Sequence, residues 1–399
     1  MKLDQVRNKI QNKALTHWKL NDKKGTCQII TGLGKTFISL HALYTMPRLD
    51  GKTHLFLAEQ KDRVKDLKDD IEKYNKLFNR DVLNDYNLQF YCYQTVYKWA
   101  DRDFGLVIAD EIHDSLSPSY SKFYFNNTYD AIIGLSATIT RATRYEVEGG
   151  FYTKGQLLDK IAPICFTYSI DDGQQDGTAR KLDVYVIYNE LDKVDKVIKS
   201  GNAKKVFYQT ELAAYDYWDK QHKQSWFITD EEKKQLKIRI TSHKRSAILY
   251  NLESKVNIVK KLLTHLKGKS IIFGNSLDSL HKVTPNVISS KNKDIDNSRL
   301  RDDFDKNKID VIGSFKKLKQ GANLHNLDNC IIMSYYSTDK DFIQRIGRLR
   351  NNNEVGNVFI LLTKNTQEET WFDKIFLNIN NLNITYCNDI NDCISKLEK

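Results

Sequence analysis

Six residues in the first third of the chain have the types and spacing to handle a triphosphate: Gly32, Gly34, Lys35 and Thr36 in "TGLGKT", and Asp110 and Glu111 in "LVIADEIHD". An apolar strand pattern runs through "CQII" into Thr31 and the two glycines, and an amphipathic helix opens at once behind them. Glycines there let backbone amides turn towards an anion, a lysine next to them reaches terminal phosphates, and the following hydroxyl can hold Mg²⁺. The helix brings its positive dipole end to the same anion. The longer form of this pattern starts with a small residue, whose place is held here by Ile29. Asp110 and Glu111 follow four apolar residues, and two adjacent carboxylates at the carboxyl end of a buried strand repel unless a cation lies between or beside them. Asp110 is expected to hold Mg²⁺, directly or through water, and Glu111 to orient an attacking water. His113, two residues on, is either a coupling residue or a structural histidine.

The elements that must position these groups are legible as alternating patterns. "TCQIIT", "THLFLAE", "LQFYCY", "FGLVIADE" and "DAIIGLSAT" predict buried parallel strands, and Val64, Leu67, Ile71, Tyr74 and Phe78 recur at helical spacing between the second and third. Strand, helix, strand in repetition predicts a doubly wound α/β sheet. The rhythm returns in "KLDVYVIY", "KSIIFGN", "KIDVIGSF", "NCIIMSYY" and "NVFILLT", which predicts a second α/β domain. Residues 193–266 read instead as a charged helical insertion, dotted with Tyr215, Tyr217, Trp218 and Trp226. Those aromatics would either pack in a core or stack on a nucleic acid. "SIDDGQQDGTARK", residues 169–181, has the composition of a linker, and the domains are expected to span 1–175 and 176–399.

At 399 residues the chain has room for two such cores. Its 62 basic against 51 acidic side chains leave a formal charge of +11, which favours a polyanionic partner through steering and counterion release. "MKLDQVRNKI" has no apolar signal core, and no apolar run approaches the ~18 residues of a membrane span, so an intracellular, cytoplasmic protein without a membrane partner is expected. The six cysteines show neither a metal-ligand spacing nor a disulfide framework and are expected as buried, reduced thiols.

Taken in order, these residues resemble the DExH-type helicases and translocases of superfamily 2, and the resemblance covers most of the chain. It implies two RecA-like lobes, an ATP-binding one over 1–175 and a helicase lobe over 176–399, using ATP with Mg²⁺. "VRNKIQ" resembles the family's adenine-recognising segment, which gives Arg7 and Gln11 roles at the base. "LFLAEQKDRVKDL" and "YCYQTVYKW" sit where the family contacts nucleic acid, which implies such contacts for Gln60, Arg63 and Thr95. "GLSAT" resembles the segment that couples hydrolysis to movement, with Ser136 and Thr138 as its hydroxyls, and His113 in the D-E-x-H run is a further coupling candidate. In the second lobe "SIIF" resembles the fourth motif. "GSFKKLKQGANL" resembles the fifth, with Ser314 towards nucleic acid and Gly321 and Asn323 towards nucleotide. "QRIGRLR" resembles the sixth, where Gln344, Arg345 and Arg348 would face ATP, Arg348 as the arginine finger. Cys92 stands where many relatives have a phosphate-contacting threonine, and Asn351 where they have a last arginine, with Arg350 one place early.

A narrower likeness, in "VIGSFKKLKQGANL" and "IAPICFTYSIDDGQQDG", is to phage UvsW-type recombination helicases. It implies an ATP-driven DNA motor for recombination, repair or replication-fork work, acting on branched or duplex DNA, with single-stranded DNA as a further track. About twenty residues separate Gly321 from Gln344, and one strand plus a helix start fill them, so no wedge hairpin fits there. RNA as the track, an ATP-gated binding module, and a motor subunit of a restriction-type complex are the alternatives.

Overall fold

The computed structural model describes every residue except 1–2, 49–50, 60, 138, 148–149, 203–204, 316–323, 325–326, 335–348, 350–354, 377–382 and 399, and the structural statements below concern the described residues. Residues 1–180 run α1 (Leu3–Leu20), β1 (Lys24–Ile29), α2 (Lys35–Leu43), β2 (Thr53–Ala58), α3 (Lys61–Phe78), α4 (Val82–Asp85), β3 (Leu88–Cys92), α5 (Tyr93–Val96), β4 (Asp103–Asp110), α6 (Lys122–Phe125) and β5 (Thr128–Ser136). A hairpin of β6 (Arg144–Val147) and β7 (Gly150–Thr153) follows, then α7 (Lys154–Ile161), β8 (Ile164–Tyr168) and α8 (Ile170–Gln175). Six strands form one parallel sheet in the order β3-β2-β4-β5-β1-β8.

Its central strands read as unbroken apolar runs because both faces are covered. Trp18, Ile38, Leu40 and Tyr74 pack on one face, and Tyr93, Phe123, Leu157 and Leu158 on the other. Trp18 also donates its indole N–H to the Ile132 carbonyl at 2.8 Å, pinning α1 across β5. The helical spacing in α3 places Leu67, Ile71 and Tyr74 in the core. Strand β8 was not anticipated: "ICFTY" is short and half-buried, and only its pairing with β1 holds it extended.

The expected linker is different in kind. Residues 170–175 form α8, opened by a capping box in which Ser169 and Asp172 exchange side-chain and backbone hydrogen bonds. A side chain at Gly173 would meet Ile30 Cδ1 at 2.7 Å, so this segment is packed against the lobe. The chain divides into two compact units between Arg180 and Lys181, five residues beyond the expected boundary. Glycine and acid content suggested a linker, but a Ser-x-x-Asp start supplies the two capping bonds that a short helix needs.

The second unit begins with β9 (Leu182–Asn189), then β10 (Ile198–Asn202), β11 (Lys205–Gln209), α9 (Glu211–Ser225), α10 (Glu231–Tyr250), α11 (Glu253–Leu263), β12 (Lys269–Phe273), α12 (Leu277–Val283), β13 (Val287–Ser289), α13 (Asp294–Asp305), β14 (Val311–Phe315), β15 (Leu327–Ile332) and β16 (Gly356–Thr363). A helix over Gln367–Phe376, strand β17 (Asn383–Cys387) and a helix over Ile390–Leu397 complete it. Seven strands form a parallel sheet in the order β13-β14-β12-β15-β16-β9-β17.

The predicted helical insertion is narrower than 193–266. It starts with the antiparallel hairpin β10–β11, where Val206, Phe207 and Tyr208 carry the preference for extended backbone. Only α9 and α10 form the helical excursion, capped by Thr210 and Asp230, since α11 packs back on the lobe against α12 and the helix Ile390–Leu397. Of its aromatics Tyr215 is core, Trp218 is half-buried with the Lys244 ammonium 5.8 Å from its ring, and Tyr217 and Trp226 are exposed. Five cysteines are buried and Cys165 is half-buried, all of them free thiols.

Candidate nucleotide site

The "TGLGKT" turn leaves β1 and enters α2 through two left-handed glycines, Gly32 at φ 93° and Gly34 at φ 74°. Gly34 is the N-cap of α2, whose first turn carries no acidic side chain, so the unpaired amides that every helix start presents face the loop without a competing carboxylate. Gln11 on α1 donates from Nε2 to the Leu33 carbonyl at 2.8 Å, which clamps the loop from above. Its expected partner was a base; in this state its amide is engaged by the loop itself. Arg7 lies one turn earlier on the same helix and is half-buried. Gly34→Ala is expected to destabilise the loop by about 1 kcal/mol, chiefly through the positive φ. The new Cβ would also lie 2.7 Å from Gln11 Nε2, a contact the end of that side chain can relieve by moving. Nucleotide titration and a melting curve check this, and unchanged values in both would contradict it.

Opposite the loop, β4 delivers the two carboxylates. Asp110 ends the strand and is buried; Glu111 follows in the left-handed region, φ 49° and ψ 53°, which is uncommon for a side chain of its size. That turn points the two carboxylates apart. The Lys35 ammonium lies 3.0 Å from Glu111 Oε1, with both side chains mostly buried. Asp110 Oδ2 instead accepts from Arg63 Nε at 2.7 Å, and its main-chain carbonyl accepts from the Tyr93 hydroxyl at 2.8 Å. Each acid therefore has its own cation. Burial pushes the Glu111 pKa up, but Lys35 and His113 outweigh it, and the net direction is down.

Strand β5 pairs with β4 so that Leu135 lies opposite Asp110, and the next residue, Ser136, reaches the acid turn. His113 Nδ1 and Ser136 Oγ are 2.6 Å apart, Ser136 Oγ donates to Glu111 Oε2 at 3.3 Å, and His113 Nδ1 is 3.3 Å from the same oxygen. Glu111, His113 and Ser136 form one mostly buried triangle.

Thr36, the first-turn hydroxyl of α2, is buried and accepts from Arg63 Nη2 at 2.8 Å while donating to Asp70 Oδ2 at 3.1 Å. Thr36 and Asp110 thus converge on a single positive group. Two hard oxygen donors that share one guanidinium fit a hard divalent cation such as Mg²⁺. Arg63, expected at nucleic acid, is bonded here to Asp110 and Thr36. Sequence reasoning missed Asp70 and Tyr93. Asp70 is two turns from Arg63 on α3, a same-face spacing that was available as a signal; Tyr93 had none.

Thr95 is exposed on α5, open to a ligand, whereas Ser314 is buried in β14, where its carbonyl accepts from the Gly274 amide. Gln60, Thr138, Gly321, Asn323, Gln344, Arg345, Arg348 and Arg350 lie outside the described residues.

Residues 1–141 match the model of the family described as "Type III restriction enzyme, res subunit", and residues 254–352 match "Helicase conserved C-terminal domain". The two matches fall on separate lobes, the first spanning the glycine loop, the acid pair and all of "GLSAT", the second β12 through "QRIGRLR". The chain is a superfamily 2 helicase. As such it is a nucleic-acid-dependent ATPase. The helicase is 23% identical over 376 residues to the DNA 3'-5' translocase XPB2 of Sulfurisphaera tokodaii, covering 90% of this chain and 82% of that protein. A 67-residue stretch, 17% of the chain and 11% of the relative, is 31% identical to the mitochondrial ATP-dependent RNA helicase MRH4 of Debaryomyces hansenii. Among solved structures, S. cerevisiae Dbp5 bound to RNA and ADP BeF3 superposes with a TM-score of 0.60 at 13% identity, over 98% of this chain and 93% of that one. The Pyrococcus furiosus Hef helicase domain does so at 0.54 and 13% identity, over 93% and 98%. The type ISP restriction-modification enzyme LlaBIII bound to DNA gives 0.58 at 14% identity, over 96% of this helicase but 31% of that larger chain. These likenesses identify both sheets as RecA-like lobes. No described helix is long and apolar enough to cross a membrane.

Proposed function

We propose that this helicase is an ATP-driven DNA translocase that remodels duplex or branched DNA. One observation carries the choice of track: the sequence similarity to the DNA translocase runs through 90% of the chain, while that to the RNA helicase MRH4 covers 17%. The formal charge of +11 supports a polyanionic track held mainly by its phosphates, which carry no sequence information, so the motor is expected to tolerate any sequence and to weaken with salt. The short span between Gly321 and Gln344 supports translocation over strand wedging. The narrower likeness to UvsW-type helicases supports a place in recombination, repair or fork remodelling, and a phage source acting in a host cytoplasm.

In this reading the loop amides and Lys35 bind the phosphates, and Glu111 orients the attacking water, its carboxylate held by Lys35, His113 and Ser136. Magnesium, when bound, would lie between Thr36 and Asp110 and neutralise charge on the phosphate oxygens. Arg348 is the proposed finger, and Gln344 and Arg345 are assigned to the same step. Gly321 and Asn323 are assigned to the nucleotide, and Gln60, Thr95, Thr138 and Ser314 to the nucleic-acid path and its coupling. Loss of the terminal phosphate changes what Glu111 and Lys35 hold, and the His113–Ser136 link carries that change to β5.

The test is the steady-state ATPase rate without polymer and with single-stranded, duplex, forked or four-way DNA, or RNA. Branched or duplex DNA is expected to stimulate most. Stimulation by RNA alone would overturn the track, and no stimulation by any polymer would leave an ATP-gated binding module, or the motor subunit of a restriction-type complex awaiting its partner, as the better account.

A further inference from the structure

Arg63 has a position that no sequence motif assigns to it. Its guanidinium donates to Asp110 Oδ2 at 2.7 Å and to Thr36 Oγ1 at 2.8 Å, and reaches Asp70 Oδ2 at 3.4 Å. The side chain is 19% exposed, Asp110 is 7% exposed, and Thr36 closes the ring by donating to Asp70. Three oxygen groups therefore surround one cation that belongs to the chain. Two of them, Thr36 and Asp110, are the pair assigned above to the divalent ion.

We propose that Arg63 is a built-in competitor of magnesium nucleotide, filling the cation position of the nucleotide-free first lobe and having to swing away before Thr36 and Asp110 can serve a metal. The inference rests on reading this corner as the magnesium-nucleotide site. Without a cation, Asp110 would lie buried beside Glu111 with no charge partner, because Lys35 is already committed to Glu111. A forked guanidinium satisfies a carboxylate and a hydroxyl at once, which a lysine ammonium at the same Cα would do less well. A guanidinium keeps its proton in proteins, so the group cannot leave by losing it. Departure has to be a movement of the side chain. Arg63 is the third residue of α3, directly after β2, so that movement is felt at the start of the helix.

The experiment is fluorescence titration of the full chain with MANT-ADP, across a range of MgCl₂ concentrations and in EDTA, for the natural protein and Arg63→Gln. The variant is expected to reach half-maximal nucleotide binding at about tenfold less Mg²⁺, on the order of one charge-assisted contact, while binding in EDTA is unchanged or weaker. Its nucleotide-free melting temperature should fall and the rise on adding Mg²⁺ and nucleotide should grow. Asp70→Asn, which removes one negative charge from around the same guanidinium while keeping a side-chain oxygen that can accept from Thr36, should shift the Mg²⁺ requirement in the same direction and decides the matter where Arg63→Gln does not fold. An unchanged Mg²⁺ requirement, or equal weakening with and without Mg²⁺, would overturn the proposal and make Arg63 a scaffold or a direct nucleotide ligand. A natural protein that binds no MANT-ADP would remove the site reading itself, and the proposal with it.

Discussion

Lys35→Ala protein will fold as the natural chain does and turn over ATP at least about a hundredfold more slowly, with or without DNA. The lysine is the one cation that the glycine loop itself places beside the phosphates, and a positioned charge of this kind typically contributes about two to three orders of magnitude to turnover. The fold should survive because the ammonium touches Glu111 at the rim of the lobe, and not the core. Some stability will be lost, since Glu111 keeps only His113 and Ser136 as partners. Glu111→Gln separates binding from chemistry: it should retain nucleotide while losing turnover, whereas Lys35→Ala should lose both. A coupled ATPase assay and nucleotide titration read the difference, and normal turnover in Lys35→Ala would remove the central assignment.

The largest effect on stability is expected far from that loop. Lys255 on α11 and Glu368, in the helix Gln367–Phe376, form a bidentate pair at 2.6 and 2.8 Å, and their side chains are 1% and 0% exposed. Glu368 also accepts from the Thr363 amide at the end of β16. Lys255→Met breaks this buried bidentate pair and should cost the second lobe about 3–5 kcal/mol, far more than an exposed pair such as Lys76 with Glu72 could contribute. Urea unfolding of the full chain measures it. The double variant Lys255→Met, Glu368→Leu should recover a substantial part of the loss, because removing both members of a buried ion pair costs less than removing one. A single variant that unfolds with the natural midpoint would contradict the argument.

How much of this could be read from residues alone varies with the range of the interaction. Strands such as "FGLVIADE" and "NVFILLT" are unbroken apolar runs bounded by polar residues, and local composition suffices to place them. The acid pair and the glycine loop are likewise local, since each motif carries its chemistry within a few residues. The contacts of Arg63 are the instructive case, since no local pattern announces them. Its partners Thr36 and Asp110 lie 27 and 47 residues away, and only the order β2-β4-β5-β1 brings them together. The segment 169–181 failed for the opposite reason: glycine and aspartate counts spoke for a linker, while the positions of Ser169 and Asp172 specified a helix start. The hairpin β10–β11 was lost among charges because its β-branched and aromatic residues come in runs of only a few. Ser314 has the right place in its motif, yet β14 buries it, and motif position gives no account of burial.

Strand β9 begins the second lobe but lies between β16 and β17, which come 167 or more residues later in the sequence. During synthesis the first strand of this lobe therefore leaves the ribosome with neither of its neighbours made. At about 5–20 residues per second, about ten to forty seconds pass before residues 356–387 can flank it. Meanwhile the apolar edge of "LDVYVIYN" is open to pairing with other chains. The hairpin and the α9–α10 excursion are built almost wholly from contacts near in sequence and can form while β9 waits. A chain stopped before residue 356 would hold a finished first lobe and an unclosed second sheet, so nascent-chain aggregation, more than native instability, is the hazard this topology creates.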